Sequence, residues 1–379
     1  MKKICILSVI SDVYTDQRIL RTASALSELD YEMIIIGRKT SSTTHHLNSY
    51  NYVIKHLQPP FKKGVGMYLF FTIQLFFQLL FFVIKNRKNK ILLFANDLDT
   101  LLPNYLISKI FHLSLIYDSH ELFTEVPELQ NKKIKKKIWE TLEKCIVPKL
   151  PFAITVNKSI ANWYHNKYHI PFYVIRNVPS TPQINTIKSR TDLKLPIHKK
   201  IIILQGTGIN IHRGSEELVD AMQYLNEEYL LLIIGGGDVI NILKQKVIEL
   251  KLHNKVMIKD RMPADELFHY TANADLGISI DKPNNLNYLY SLPNKLFSYI
   301  HAHIPILATR LPEIEKIITH YQIGMFIDTH QPEHIAEKIK EALHHPEYPI
   351  WKQNTLKAAQ DLNWEKEKEN LKNLVLSLK

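Results

Sequence analysis

Short apolar runs alternate with longer segments of helical periodicity along the whole chain, and this alternation constrains the fold more than any other feature of the 379-residue sequence. Strands that are apolar throughout are buried on both faces, and the helices between them form the crossover connections of a parallel sheet. The pattern therefore predicts the α/β class, built from repeated βαβ units. In the first half, the predicted strands cover residues 3–9, 32–37, 91–95, 115–118 and 153–156.

The same scheme begins again in the second half, where the predicted strands cover residues 201–204, 229–234, 256–258, 276–280 and 306–308. With 45% hydrophobic residues the chain can fill two cores, which excludes an intrinsically disordered protein. We predict two Rossmann-like doubly wound parallel-sheet domains. Residues 1–178 form the first, residues 179–198 a linker without periodicity, residues 199–363 the second domain, and residues 364–379 a closing amphipathic helix.

The positive charge of the chain lies entirely in its first half. The formal net charge is +11, and residues 1–180 hold 24 Lys+Arg against 13 Asp+Glu, whereas residues 181–379 hold 24 of each. Such a bias is typical of proteins that bind nucleic acid and of proteins that rest on an anionic membrane. Because the aromatic residues of the first half are concentrated in one helix rather than interleaved with the basic ones, we expect a membrane partner and no nucleic acid.

The two cysteines, Cys5 and Cys145, are too few for a disulfide framework and fit a reducing cytoplasm. The opening residues show no signal-peptide pattern, because their apolar run is short and lacks a cleavage site of small residues. We therefore expect a cytoplasmic location.

Residues 67–84 form an uncharged run of 18 residues with six phenylalanines, which reaches the length of a transmembrane helix. Spanning conflicts with the predicted topology, because the strands on either side of the run must enter one sheet. Gln74 and Gln78 lie four residues apart on one stripe, so most of the helix surface is apolar. Such a helix is either buried in the protein or in contact with lipid.

Basic residues flank this helix. Seven Lys or Arg and no acidic residue occur from Lys55 to Lys90, and a second basic helix over residues 131–149 opens with five lysines. A lysine near an anionic surface contributes about 1 kcal/mol of binding, and an inserted phenylalanine roughly 1.5–3 kcal/mol. We expect peripheral membrane binding, with a core helix beside a solvated charged face as the alternative. The predicted contacts are Phe70, Phe71, Phe76, Phe77, Lys132, Lys133 and Lys136.

Glycines follow two predicted strands of the second half and mark candidate phosphate sites. Gly206 and Gly208 follow the first strand, where the backbone can approach a ligand and the next helix terminus favours an anion. A dinucleotide fingerprint would need a third glycine at Ile211, so a nicotinamide cofactor is not expected. Gly235 and Gly236 follow the next strand, at the edge where open α/β sheets bind ligands.

Two basic residues accompany these loops. Arg213 precedes a predicted helix over residues 215–225, and Lys295 follows Pro293 at the start of another helix. Both can neutralise a phosphate at a helix N-terminus, although Arg213 can equally be an ordinary exposed arginine. The sequence contains no HExxH, GxSxG or cysteine-rich metal motif.

Several segments together resemble glycosyltransferase family 4, retaining enzymes of the GT-B fold that use nucleotide sugars. The similarity is carried by residues 16–19, 95–100, 117–123, 256–267, 273–275 and 293–297 in their order and spacing. The resemblance implies that the first domain binds the acceptor and the second binds the donor across a cleft. It implies bacterial surface-polysaccharide synthesis, of capsule or lipopolysaccharide, with a lipid-linked or glycan acceptor.

The resemblance also implies roles for individual residues. His120 would face the donor sugar and acceptor hydroxyl, while Arg213 and Lys295 would neutralise the departing diphosphate and make a metal unnecessary. We expect no metal and no cofactor other than the nucleotide-sugar co-substrate. The implied donor-binding residues are Gly206, Gly208, Gly235, Gly236, Arg261, Met262, Asn294, Leu296 and Ser298, with Arg261 and Met262 near the base.

Three positions depart from the family pattern. Tyr290 and Ser298 stand where the family often has glutamates, and His303 stands where a small residue is usual. The second glutamate commonly holds the ribose, and a serine hydroxyl offers only an uncharged hydrogen bond there. The alternative function is therefore a catalytically impaired relative that binds a glycan or a membrane.

Overall fold

The computed structural model describes residues 1–39, 52–61, 63–182, 184 and 186–378. The chain divides into two units, residues 1–177 together with 367–379, and residues 178–366. The whole of the predicted linker is counted in the second unit, and Leu193 and Leu195 are buried in its core.

The first unit contains a seven-stranded parallel sheet. Its strands are β1 (Lys3–Asp12), β2 (Tyr31–Arg38), β3 (Val53–Leu57), β4 (Lys90–Asn96), β5 (Ser114–Ser119), β6 (Phe152–Thr155) and β7 (Tyr173–Val174), in the order β3-β2-β1-β4-β5-β6-β7. The helices are α1 (Gln17–Ser27), α2 (Gly64–Lys85), α3 (Leu98–Phe111), α4 (Pro127–Gln130), α5 (Lys133–Ile146) and α6 (Lys158–Tyr168). The strand order reverses between β1 and β4.

The second unit contains a six-stranded parallel sheet of the same kind. Its strands are β8 (Lys200–Gly206), β9 (Tyr229–Gly235), β10 (Val256–Lys259), β11 (Leu276–Ser279), β12 (Ile306–Thr309) and β13 (Gly324–Ile327), in the order β10-β9-β8-β11-β12-β13. The helices that follow are α7 (Ser215–Ala221), α8 (Ile240–Glu249), α9 (Ala264–Ala272), α10 (Leu286–Leu289), α11 (Asn294–His301), α12 (Pro312–Tyr321), α13 (Pro332–His344), α14 (Tyr348–Asp361) and α15 (Trp364–Leu376). Its order reverses between β8 and β11.

The two sheets confirm the α/β class and the doubly wound parallel topology. Every strand predicted from an apolar run is present, with bounds shifted by at most a few residues. In open sheets of this kind, ligands bind beyond the carboxyl ends of the strands, where the order reverses. The β1/β4 and β8/β11 positions are therefore where a site is expected in each unit.

Helix α2 is the uncharged run, and its length and composition would allow it to cross a membrane. Because β3 and β4 lie in one sheet on either side of it, the helix is a crossover connection packed on that sheet. Phe71, Leu75 and Leu79 are fully buried, while the opposite side exposes apolar side chains. The expected membrane contact of Phe71 is therefore corrected, because its side chain belongs to the core.

Candidate active site

A histidine held between two carboxylates lies beyond the carboxyl ends of β4 and β5. The His120 Nδ1 atom is 3.1 Å from Asp97 Oδ2, and its Nε2 atom is 3.2 Å from Asp118 Oδ2. The His120 backbone N–H also donates to Asp97 Oδ1 at 2.9 Å. The ring is mostly but not wholly buried, so one edge remains accessible. The predicted site histidine thus stands at the expected edge of the sheet, held on both sides.

Asp97 adopts a backbone conformation that is almost confined to glycine. Its φ is +60° and its ψ is 168°, a region that costs about 1–3 kcal/mol for other residues and that is enriched at functional sites. The conformation is held by the bond to His120 and by the Asp97 N–H, which donates to the Asp118 carbonyl at 2.8 Å. A strained residue contacting His120 supports a functional role for this cluster.

Arg18 completes the cluster from helix α1. Asp16 caps that helix by accepting from the backbone N–H groups of Arg18 and Ile19, which places Arg18 in the first turn, facing the sheet. Its guanidinium donates to both carboxylate oxygens of Asp118, at 2.7 and 2.8 Å, and to the Ile175 carbonyl at 3.0 Å. This buried bidentate pair ties α1 to the ends of β5 and β7.

The charged groups of the cluster shift the pKa values of His120 and Asp118. Burial would lower the pKa of His120, but the carboxylates of Asp97 and Asp118 outweigh burial and raise it well above its usual range. Burial would raise the pKa of Asp118, but Arg18 and His120 lower it to about 2. His120 is therefore an imidazolium at neutral pH. It is suited to donating hydrogen bonds and stabilising negative charge, and it is not an available base.

The stability of the first unit should depend on pH through His120. Because its pKa is raised on folding, its ion pairs contribute fully below the ordinary histidine value of about 6.5, and the contribution is lost as pH rises through the raised pKa. We expect the free energy of unfolding to fall between pH 7 and 10 in the wild type more than in His120→Phe. Urea unfolding at several pH values measures this, and parallel pH profiles would contradict it.

The two glycine segments of the second unit pack directly on each other. The Ile209 N–H donates to the Gly236 carbonyl at 2.9 Å, and the Gly236 N–H donates to the Gly206 carbonyl at 3.1 Å. A Cβ on Gly235 would lie 1.8 Å from the Gly206 carbonyl oxygen. Gly235 is therefore explained by loop packing, whereas a Cβ on Gly236 would lie 2.4 Å from the Arg261 Nε atom. By contrast, a Cβ on Gly208 would have only the Asn210 side chain nearby, at 3.7 Å, so this segment is open to a ligand.

Two glycine substitutions should separate packing from ligand binding. Gly235→Ala is expected to lower the free energy of unfolding by roughly 1–3 kcal/mol, because its methyl group overlaps the backbone. Gly208→Ala should leave stability within about 0.5 kcal/mol of the wild type and weaken nucleotide binding. Denaturation and calorimetric titration with nucleoside diphosphates measure the two effects. The assignment fails if Gly208→Ala is the more destabilising change or if it binds the nucleotide as the wild type does.

The predicted basic residues Arg213 and Lys295 meet on one buried carboxylate. The Arg213 Nη1 atom is 3.4 Å from Asp281 Oδ2, and the Lys295 Nζ atom is 3.3 Å from Asp281 Oδ1. Asp281 follows β11 and is fully buried, and the Arg213 guanidinium also lies 4.6 Å from the centre of the Tyr288 ring. Burial lowers the pKa of Lys295, opposed by Asp281. The structure therefore places two cations side by side where the strand order reverses.

The other predicted donor residues differ in their surroundings. The Arg261 Nη2 atom donates to the Thr207 carbonyl at 2.6 Å, so its guanidinium lies against the first glycine segment. Met262 is half-buried and packs on the core, and Asn294 is exposed at the start of α11. Leu296 is fully buried in the core, so its predicted donor contact is corrected: one residue after Lys295, its side chain points toward the sheet.

The three residues that depart from the family pattern, Tyr290, Ser298 and His303, lie in different surroundings. The Ser298 hydroxyl donates to the Asn294 carbonyl at 3.3 Å, one turn earlier in α11. Tyr290 is half-buried just after α10. His303 has a φ of +59°, a conformation that favours glycine.

Four residues of these clusters carry no role in the sequence-based prediction: Arg18, Asp97, Asp118 and Asp281. The first three stand within segments that resemble the family, which is the signal that could have identified them. Asp281 stands outside those segments, and only the fold brings it to both cations. Within the described ranges, no group of three or more His, Cys, Asp or Glu side chains is arranged to hold a metal ion.

The second unit matches a known family. Residues 188–358 match the family model for glycosyl transferases group 1. No curated protein matches the chain.

Solved structures similar to the chain share its whole fold. Sucrose-phosphate synthase from Thermosynechococcus elongatus has a TM-score of 0.81 and 17% identity, over 100% of this chain and 99% of that one. HepE of Anabaena in complex with UDP has a TM-score of 0.75 and 15% identity, and WaaG, a glycosyltransferase involved in lipopolysaccharide biosynthesis, has 0.71 and 12%, each over 100% of both chains. At these identities the likeness shows the fold, which is GT-B. The family match and the fold together support a glycosyltransferase of the GT-B type.

Proposed function

We propose that the protein transfers a sugar from a nucleotide-sugar donor to a lipid-linked or glycan acceptor in bacterial surface-polysaccharide synthesis. The observation that carries this proposal is the pair of Arg213 and Lys295 on Asp281, at the β8/β11 reversal. Beside them, the segment around Gly208 leaves its backbone open to a ligand. HepE, a similar fold, has been solved with UDP and with UDP-glucose, so UDP-sugars are the first donors to test.

In the proposed reaction, the bond between the anomeric carbon and the diphosphate oxygen breaks while the acceptor hydroxyl bonds to that carbon. The diphosphate gains negative charge as it leaves, so Arg213 and Lys295 stabilise the transition state more than the bound donor. The acceptor oxygen stays in the new glycosidic bond and its proton passes to the departing diphosphate oxygen, while His120, already protonated, orients the reacting sugar. Retention of configuration and independence of a metal are proposed from the resemblance to glycosyltransferase family 4.

The exposed side of α2 supports binding at the inner face of the plasma membrane. Val65, Leu69, Ile73, Phe77 and Phe81 recur every four residues and are each at least 44% exposed. Phe70 is also exposed and Phe76 half-buried. Exposed contiguous apolar surface of this kind marks a partner or membrane contact.

Lysines border this apolar surface. Lys132, Lys133 and Lys137 are exposed on and before α5, beside exposed Ile134 and Ile138. Lys136 instead pairs with Glu125 at 2.9 Å, which reduces its contribution to an anionic surface. Apolar side chains flanked by lysines suit an interfacial contact with anionic lipid.

Membrane binding should depend on the exposed phenylalanines. We expect Phe77→Ser/Phe81→Ser to lower the partition coefficient onto phosphatidylcholine–phosphatidylglycerol vesicles at least tenfold, because each inserted side chain contributes roughly 1.5–3 kcal/mol. Ile248→Ser/Ile350→Ser, at similarly exposed sites of the second unit, is the matched control. Flotation measures both. Equal flotation of the two variants, or binding to DNA in place of vesicles, would contradict the membrane proposal.

A catalytically impaired binding protein is the alternative, motivated by Ser298 and Tyr290 in place of glutamates. Screening nucleotide sugars for thermal stabilisation tests the donor site first, since a ligand at 100 times its Kd adds about 2.7 kcal/mol. Release of the nucleoside diphosphate from the stabilising donor then separates the two functions. An active transferase forms free nucleoside diphosphate from the donor. An impaired relative binds the donor but forms no nucleoside diphosphate.

A further inference from the structure

Helices α2, α3 and α5 of the first unit enclose a groove of about 610 Å³, here called the α2/α5 groove. Cavities that hold small-molecule ligands measure about 300–1,000 Å³, so the groove is large enough for one. Trp139 of α5 forms part of its wall, with its ring edge-on to Tyr68 at 5.4 Å and to Phe123 at 4.9 Å between centroids. These aromatic contacts fix the position of the Trp139 ring in the wall of the groove.

The rest of the wall is mainly aliphatic and continues onto the exposed surface. Leu102, Leu129 and Leu142 line the inner part. Leu69 and Ile138 line the groove and are also 56% exposed each. The groove therefore opens onto the apolar side of α2 and the apolar residues of α5.

One polar side chain in the groove has no partner for one of its oxygens. Asp99, in the first turn of α3, is 4% exposed, and its Oδ1 atom makes no hydrogen bond with any described residue. A buried polar atom left unpaired costs roughly 1–3 kcal/mol and calls for an explanation. Burial, reinforced by the Asp97 charge, raises the pKa of Asp99 well above its usual range. A neutral carboxyl can both donate to and accept from a hydroxyl.

The charged groups of the groove balance one another. Glu121 and Glu128 line it together with Lys132 and Lys135. With Asp99 neutral, these side chains give no net charge, so the groove itself has no strong preference for an anion. Its selectivity must come from its apolar walls and from Asp99.

We propose that the α2/α5 groove binds the hydrocarbon chain of a lipid acceptor, with a hydroxyl at the polar end of that acceptor hydrogen-bonded to Asp99. The inference rests on the proposed function and deepens it, because it chooses a lipid acceptor over a free glycan. The chain leaves the groove past Leu69 and Ile138 toward the membrane-facing side of α2. Asp99 stands in the first turn of α3, two residues after Asp97, which contacts His120, so the polar end lies near the candidate active site.

Binding of a dansyl-labelled twelve-carbon alcohol to the full chain, without vesicles, tests the groove directly. We expect saturable one-to-one binding that Leu69→Gln weakens about tenfold. Ile110→Gln, equally exposed on α3 but outside the groove, should bind the probe like the wild type. Asp99→Leu should weaken the alcohol several-fold and leave binding of the same probe without its hydroxyl group unchanged or stronger.

The outcomes separate this inference from the proposed function. Donor turnover with no saturable probe binding would overturn the groove assignment and leave the transferase intact. Equal losses in Leu69→Gln and Ile110→Gln, or competition by a short soluble glycan in place of long-chain alcohols, would also overturn it. Probe binding with the expected variant pattern in a protein without donor turnover would support the groove and count against the transferase.

Discussion

Replacing Lys295 with alanine is expected to lower kcat about 10²–10³-fold, the loss seen when one preorganised donor to a developing negative charge is removed. Lys295 shares Asp281 with Arg213, so its ammonium is held in place before the donor binds. Because the diphosphate gains charge only as the glycosidic bond breaks, donor affinity should fall much less than the rate. Initial rates of nucleoside diphosphate release, with binding measured separately by calorimetry, give both quantities.

Lys282→Ala is the matched control, since Lys282 follows Asp281 in the chain but pairs with Glu217 instead. It should retain most of the wild-type rate. The Lys295→Ala/Arg213→Ala double variant should lose less than the product of the single losses, because both cations act on one diphosphate. Comparable rates for Lys295→Ala and Lys282→Ala would contradict the assignment of Lys295.

Replacing Arg18 with alanine is expected to lower the free energy of unfolding by roughly 3–5 kcal/mol, the cost of breaking one side of a buried ion pair. Asp118 would remain fully buried with only His120 beside it. The same change leaves the Asp118 carboxylate, one of the two partners of the His120 ring, without the guanidinium that fixes it, so any turnover should fall as well. The midpoint of urea unfolding measures the stability change.

Lys2→Ala provides the control for that experiment. Lys2 pairs with Glu32 at 2.6 Å, but both side chains are more than half exposed, and such pairs contribute about 0–1 kcal/mol. Arg18→Met/Asp118→Leu removes both buried charges and should recover much of the stability without restoring activity. If Arg18→Ala unfolds at the same urea concentration as Lys2→Ala, the buried pair does not stabilise the unit as described.

The sequence predicted the sheets well where strands are buried on both faces and poorly at the edges. β1, β4, β8 and β9 are continuous apolar runs in the middle of the sheets, and each was recognised. β3 lies at an edge, contains Lys55 and His56 and is mostly part-exposed, so it carries no such run. β7 and β13 are also at edges: β7 has only two residues, and three of the four residues of β13 are part-exposed. The edge strand β10 was nevertheless recognised from its apolar residues 256–258.

In the candidate site, the sequence identified residues from their local motifs but not the contacts between residues far apart in the chain. Arg213 and Lys295 could be recognised from their places beside a helix, but the carboxylate that joins them lies 68 residues from Arg213 and only the β8/β11 pairing brings it there. Likewise, Arg18 and Asp118 are 100 residues apart. Leu296 was misassigned because neighbouring residues on a helix point in different directions, so Lys295 can face a ligand while Leu296 faces the core.

Helix α2 illustrates a case in which both sequence-based alternatives contain part of the answer. Its apolar residues extend nearly all round, which left open a core helix and a lipid contact. The structure buries one side, at Phe71, Leu75 and Leu79, and exposes the other, at Leu69 and Phe77. Because both sides of α2 are apolar, hydropathy alone cannot predict which side is buried and which is exposed.

Product formation tests the central claim most directly. The purified protein is incubated with a nucleotide sugar that stabilises it and with a bacterial membrane-lipid extract, and the products are analysed by mass spectrometry. The account predicts a lipid heavier by one sugar residue, formed in step with one nucleoside diphosphate per transfer and reduced at least a hundredfold in Lys295→Ala. Stabilisation by the donor without any glycosylated product, with wild type and Lys295→Ala equally inert, would show a binding protein and contradict the account.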